Sequence, residues 1–326
     1  MEFTPTANFG LPSETASAIF LQGGARGATK AADIADATIA IESIDVNFVV
    51  PLFSRDASID ITEGLTDSAS TYSISAVNIL VRNHVLRMST ARIRKHRTAF
   101  VSFWGTFNEA QQESSRMANA RVSLSIQRSS QVNPVGEIVS HLPWHTASVA
   151  AGMQAAGFYR AIVNRFANII SFEDPQGFDS GSPGDIELAL DSGLLFLEQA
   201  VAGNRWVSDQ TTYVVDQNFV FTSIQAVYAV DLVSLNLSRS FQNAFTGQSL
   251  ADVDASTALS FLASLMDAFK RQRLIASSDD APLGFRNAKV EINGPVLAIN
   301  VEIKPSTAIY FIPIAIEVSQ IVNSAS

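Results

Sequence analysis

Asn47-Phe48-Val49-Val50-Pro51-Leu52-Phe53 is an unbroken apolar run followed by a polar stretch. A strand with one wet face alternates apolar and polar residues, whereas a strand covered on both faces reads as a continuous apolar run. The run therefore predicts a buried strand. Thr98 to Trp104 predicts another, stopped by Gly105. Arg121 to Gln127 predicts a third, with Val122, Leu124 and Ile126 alternating against polar neighbours. Between these strands lie segments of helical spacing. Ala31 to Ile44 places Ile34, Ala37, Ile41 and Ile44 on one face, and Tyr72 to Met88 and Asn108 to Ala120 follow the same period. Thr146 to Asn164 reads as a helix rich in small residues, and Asp185 to Ala202 as another, capped by Asp185 and ended by Gly203-Asn204. Residues 54–71 and 174–184 read as loops. Alternating strands and helices argue for an α/β layer with a mostly parallel sheet.

The pattern changes after residue 205. Asp209-Gln210-Thr211-Thr212-Tyr213 opens this part, and Tyr213 to Val220 reads as a strand. Thr222 to Phe245 fits a long helix ended by Gly247. Ser256 to Ile275 fits another, with Leu259, Leu262, Ala263, Met266 and Phe269 sharing a face. Three strands are expected to close the chain. Ala288 to Ile292 and Leu297 to Ile303 flank Asn293-Gly294, a hairpin-turn signal. The third, Ala308 to Val318, contains Pro313, which cannot donate to a ladder and so marks an edge strand or bulge. The expected fold class is a mostly parallel-sheet α/β domain followed by a smaller α+β C-terminal domain. The expected divisions are 1–17, a leader or truncated arm; 18–205, the α/β core; and 206–326, the C-terminal domain.

Composition narrows the function classes. The 326 residues include 47% apolar and only 16% charged side chains, against roughly 25% charged in an average soluble domain. Either the core is large or much of the surface meets protein. A net charge of −9 argues against bulk nucleic-acid binding, which needs a positive footprint. With no cysteine, disulfides, thiolate metal sites and cysteine nucleophiles are excluded. No apolar run reaches the roughly 18 residues of a membrane helix.

Few segments invite a chemical reading. Gly23-Gly24-Ala25-Arg26-Gly27-Ala28-Thr29-Lys30 sits where phosphate loops sit but has neither phosphate-loop spacing, so it reads as a tight turn. His141 and His145 stand four apart with Pro143 between them and no acidic residue nearby, a poor zinc pair. No G-x-S-x-G elbow marks a nucleophilic serine. Arg92, Arg94, Lys95, His96 and Arg97 lack interleaved aromatics and read as a solvated segment, with an intersubunit charge patch as the alternative. Lys270, Arg271 and Arg273 cluster at a helix C-terminus, where cations complement the macrodipole or offer a docking patch to an acidic partner. Asp279 and Asp280 lack calcium-loop spacing. The expectation is no cofactor, no metal and no catalytic residue.

Several segments, taken in order, resemble the tail sheath proteins of contractile-tailed bacteriophages and related injection machines. They are Phe20-Leu21-Gln22-Gly23-Gly24 with Gly27 and the helix after it; Leu142-Pro143 leading to Ala150-Ala151-Gly152-Met153; Gly193 before Trp206; Gln210-Thr211-Thr212-Tyr213; and the two closing helices with Asn293-Gly294-Pro295 and Val301-Glu302-Ile303-Lys304-Pro305. The resemblance spans residues 18–318. It implies a structural subunit, not an enzyme, that stacks in rings around an inner tube and contracts. The implied partners are neighbouring sheath subunits, the tube protein and the baseplate, with no nucleic acid and no membrane. The implied place is the virion tail, assembled in host cytoplasm. In the resembled family subunits lend strands to one another's sheets, so Ile309, Phe311, Ile312, Ile314 and Ile316 become the candidate pairing edge. Lys270, Arg271 and Arg273 become the candidate tube contact. Family members carry more sequence before the Gly-Gly segment, so a fragment is expected, from a sheath of the giant phiKZ-like phages, and monomeric alone. Two rival readings are an α/β enzyme (hydrolase or nucleotide-binding) and a receptor-binding tail protein exposing Tyr72, Phe107 and Phe178.

Overall fold

The computed structural model describes residues 27–307 except 91, 158–159, 217, 249–252 and 294–295. The elements run α1 (Ala31–Ala40), β1 (Phe48–Val49), α2 (Ala57–Thr62), α3 (Ile74–Met88), β2 (Thr98–Ser102), α4 (Phe107–Met117), β3 (Val122–Ser125), β4 (Arg128–Val132) and β5 (Ile138–His141). Next come α5 (Pro143–Gly157), β6 (Ser171–Glu173), α6 (Pro183–Asp191), β7 (Leu194–Leu195), β8 (Leu197–Ala200) and β9 (Gly203–Trp206). The chain continues with α7 (Phe219–Thr222), α8 (Ile224–Phe245), α9 (Ala255–Arg271), β10 (Phe285–Asn293) and β11 (Val296–Ile303).

A parallel sheet in the order β1-β2-β3-β7 organises the first part. It is covered on both faces. Ala99, Val101, Val122, Leu124 and Leu194 meet α3, α4 and α6 through Val81, Val85, Ala110, Met117 and Ala189. Phe100 and Leu195 turn to the other face, against Ala147, Ala150 and Ala151 of α5 and Ile224 of α8. The small residues of α5 let it lie close. Caps set where helices begin: Ser73 accepts from Ala76 N–H, Thr106 and Glu109 form a capping box, and Ser223 accepts from Ala226 N–H. Helix α8, 22 residues and so ~33 Å long, leaves that core and enters a second one. There Val233 and Phe241 pack with Leu262, Met266 and Phe269 of α9 and with one face of the β10–β11 hairpin.

The parallel-sheet α/β class with a smaller antiparallel C-terminal part holds, but several elements differ from expectation. Strand β1 is two residues long and half-buried, because it is the sheet edge and Pro51 cannot extend a ladder; Leu52 is exposed. Strand β3 does not alternate in burial: Ser123 and Ser125 are as buried as Val122 and Leu124, since helices cover both faces. Helix α1 stops at Ala40, short of Ile44; across the expected 31–44 face only Ile34 is buried, while Ala37 and Ile44 face solvent. In α9, Leu259 and Ala263 are exposed. The 54–71 loop contains α2.

The largest departure follows α6, which stops at Asp191 instead of reaching Ala202. Pro183 occupies its first turn, one residue after the Ser182 cap, so Asp185 is not the cap. Gly193 has φ +67°, and a Cβ there would lie 2.6 Å from Thr211 O, so the chain turns at a point only glycine fits. Leu194-Leu195-Phe196-Leu197 then forms β7 and opens β8, and Gly203-Asn204 begins β9 instead of ending a helix. A continuous apolar run carries no period to tell strand from helix. Helix α5 begins at Pro143 and ends at Gly157, short of Asn164. Strands β5-β4-β6 form an antiparallel sheet that the sequence reading passed over, its strands being polar. Tyr213 to Val220 is not a strand. Asp216 and Asn218 accept from the N–H groups two residues on and lead into α7. The expected final strand at 308–318 and the Gly23-Gly24 turn lie outside the described residues.

Candidate functional site

The C-terminal hairpin is the least enclosed sheet of the molecule. Residues pair from Phe285↔Ile303 to Asn293↔Val296, with a bulge between Arg286 and Lys289 where Asn287 takes φ +53°. Alternation is regular: Leu297, Ile299, Val301 and Ile303 face the second core, while Val296, Ala298, Asn300 and Glu302 face outward. Among the described residues no third strand pairs with β10 or β11. A two-stranded sheet has an open edge on each side, the template for adding a strand.

The hairpin's outer face is tied by charge. Arg286 Nε donates to Glu302 Oε2 at 2.7 Å, Asn287 donates to Glu302 Oε1 at 2.9 Å, and Arg286 also reaches Asp280 at 2.8 Å. Lys304 lies 2.9 Å from the same Asp280. The hydrogen bond from Lys304, then that from Ser278, holds the Asp280 carboxyl down at about 2. Asp279 and Asp280 thus border a salt-bridged hairpin.

The three cations proposed from sequence sit together but differ. Lys270 and Arg271 end α9, and Arg273 follows in the left-handed region at φ +61°. Lys270, partly buried, donates to Pro282 O at 3.0 Å, and the exposed Arg271 pairs with Asp267 one turn back at 3.2 Å. Ile309, Phe311, Ile312, Ile314 and Ile316 lie outside the described residues.

The basic run at 92–97 is solvated only in its first half: Arg92 and Arg94 are exposed, and the rest turns inward. Arg97 is fully buried; its guanidinium meets His84 Nε2 at 2.6 Å and donates to Ile41 O and Ile44 O. Lys95 donates to Glu42 O and Ser43 O. Both collect carbonyls at the end of the 3-10 turn after α1, a demand that no sequence period encodes. His96 Nδ1 lies 3.2 Å from Asp231 of α8, and Arg121 grips the same carboxylate at 2.5 and 2.7 Å. Burial lowers the His96 pKa, so the ring is neutral at neutral pH and Arg121 carries the charge balance. This cluster, missed in the sequence, ties α8 to the start of β3. A second missed cluster is Arg55, which donates to Asp60 at 2.6 Å and to both oxygens of Glu63, while Tyr72 donates to Asp60 at 2.5 Å. Its only signal was one arginine two residues past the apolar run that ends at Phe53.

His141 and His145 stack at 4.6 Å between ring centroids. The two ring nitrogens of His145 contact Ser129 Oγ at 2.7 Å and Gln131 Oε1 at 3.0 Å. No acidic residue joins them, and among the described residues no cluster of three metal-ligating side chains exists. Burial lowers the His145 pKa, and His141 adds to this. Tyr72, Phe107 and Phe178 are buried, not loop-tip aromatics, so they offer nothing to a receptor. Among the described residues no helix is long and apolar enough to cross a membrane.

No family profile and no curated protein matches the chain. Solved structures do. The sheath tail protein of Desulfitobacterium hafniense is 15% identical, with a TM-score of 0.63 over 92% of this chain and 62% of that one. The sheath tail protein of Listeria innocua is 13% identical, with a TM-score of 0.58 over 85% of this chain and 57% of that one. The helical sheath of the anti-feeding prophage, in its contracted state, is 13% identical, with a TM-score of 0.59 over 87% of this chain and 73% of that one. The chain spans less than two thirds of the length of the first two. Over 85–92% of its length, this chain has the fold of these tail sheath proteins.

Proposed function

We propose that the chain is a structural subunit of a contractile phage tail sheath. It packs in rings around an inner tube and contracts to drive the tube through the host envelope. The observation that carries this reading is the shared fold over 92% of the chain, with a closing hairpin that no third strand joins among the described residues. In this reading residues 206–326 form the tube-facing unit and 18–205 the outer one. Neighbouring subunits lend strands to β10 or β11, and Ile309, Phe311, Ile312, Ile314 and Ile316 supply one such strand. Lys270, Arg271 and Arg273 meet an acidic tube surface, and the baseplate starts the array. The assembly belongs to the virion tail and forms in host cytoplasm.

Contraction in this scheme draws on two packings of the same subunits that differ in free energy. It needs no nucleotide, metal or catalytic residue, and the chain acts without enzymatic chemistry. Alone, it stays monomeric at micromolar concentration, which light scattering checks. Electron microscopy of the protein with flanking sequence restored tests the reading. Tubes or stacked rings around a co-expressed tube protein are expected. A well-folded protein that forms neither would overturn it.

A further inference from the structure

An acidic groove lies beside β7, at the sheet edge opposite β1. Its volume is about 660 Å³. Leu190, Val207, Val214 and Val215 supply apolar wall, and Glu187, Asp191 and Asp216 stand at its surface, with no cation in the lining. Among the described residues two polar groups in that lining lack partners: the hydroxyl of Ser208, a residue 1% exposed, and Gln210 Oε1. A buried polar atom left unpaired costs about 1–3 kcal/mol, so an occupant that brings hydrogen-bond partners to this lining is favoured. The walls are rigid, since Gly193 packs against Thr211 and Thr212, and Thr212 N–H bonds Val122 O. The orphan amide oxygen and three carboxylates call for a donor-rich cation, and the valines for an apolar neighbour beside it.

The chain itself carries such a segment. Arg92 and Ile93 protrude from the turn between α3 and β2, with Ile93 41% exposed. The turn is held from below by Lys95 on Glu42 O and Ser43 O. In a parallel sheet all strands start at the same end. The turn precedes β2 on the β1 side, and the groove adjoins the turn into β7 on the other. Groove and turn therefore occupy opposite flanks of one end of the molecule. By contrast, residues 308–326 contain no Lys or Arg, and residues 1–26 contain one.

We propose that the Arg92-Ile93 turn of one subunit seats in the Asp191–Val215 groove of a second copy, a lateral contact between neighbours. Such a contact joins different surfaces, so it repeats into a ring or helix instead of closing a two-fold pair. The proposal rests on the sheath reading for its biological setting, but its test does not.

Because the chain has no cysteine, introduced thiols report without background. Ile93→Cys and Val215→Cys proteins, both altered at exposed sites, are mixed at high concentration and oxidised with diamide. A disulfide-linked heterodimer in clear excess over either homodimer is expected. Adding Asp191→Lys to the Val215→Cys protein should cut its yield several-fold, and adding Arg92→Asp to the Ile93→Cys protein should restore it. A heterodimer no more abundant than the homodimers, or indifferent to Asp191→Lys, overturns the proposal. The readout uses this chain alone, so it stands apart from failure of the full protein to form tubes.

Discussion

The two cores of this molecule solve the same burial problem in opposite ways. The parallel sheet is covered on both faces and its central strands are fully buried, so even Ser123 and Ser125 see no solvent. The C-terminal hairpin is covered on one face only. Its buried side is half-exposed at best, and its edges are unpaired among the described residues. The first arrangement yields a rigid body. The second leaves sheet edges that no described strand pairs. The sheath role proposed above would draw on both. Helix α8 belongs to the two cores at once, and Arg121–Asp231 fastens it to the first.

If that contrast is right, truncation should hurt the two sheets unequally. Phe100→Ala empties a fully buried site between α5 and the sheet and should cost about 3–5 kcal/mol in chemical denaturation. Ile299→Ala, on the half-buried hairpin face, should cost about 1 kcal/mol, the low end for losing apolar area that was never fully removed from water. Equal losses would break the comparison.

The coupling between the cores is tested at Asp231. Replacing it with Ala leaves Arg121 and His96 without their shared acceptor in a site where Asp231 is 6% exposed. A loss of about 3 kcal/mol is expected. A single cooperative transition should then broaden or split as α8 loosens from the sheet. An unchanged transition would mean that α8 is held by apolar packing alone.

A smaller effect concerns the exposed cations. Reversing Arg271 and Arg273 to Glu should leave the fold intact and weaken sheath–tube co-assembly in the full protein, most at low salt. Exposed contacts are worth about 0–1 kcal/mol each and are screened by ions. Unaltered co-assembly at low salt would reduce the patch to helix capping.

The smallest effect is the acid response of the hairpin's outer face. Asp280 is held below its ordinary 3.8, at about 2, by Lys304 and Ser278. A depressed carboxyl contributes stability that is complete above 3.8 and is lost as pH falls through about 2. A side-chain NMR titration should find its midpoint near the lower value, with hairpin signals broadening in the same window. A midpoint near 3.8 would show that the outer-face network does not persist in solution.

Sequence alone determined the elements with strong local signals. Helix α3 has its Ser73 cap and apolar stripe, α8 its Ser223 cap and Gly247 stop, and β11 its strict alternation, and each stands within two residues of its expected place. The tail sheath fold was legible too, in the order of several weak segments. The tertiary structure decided what depends on partners far along the chain. Leu194 to Leu197 became strands because β3 offers a free edge and Gly193 turns the chain against Thr211. Arg97 is buried because carbonyls some fifty residues earlier converge on it. The acidic groove exists because the turn after α6 meets the loop after β9. Local periodicity records which face of an element is apolar. It holds no record of which distant carbonyl, carboxylate or strand edge will arrive to meet it.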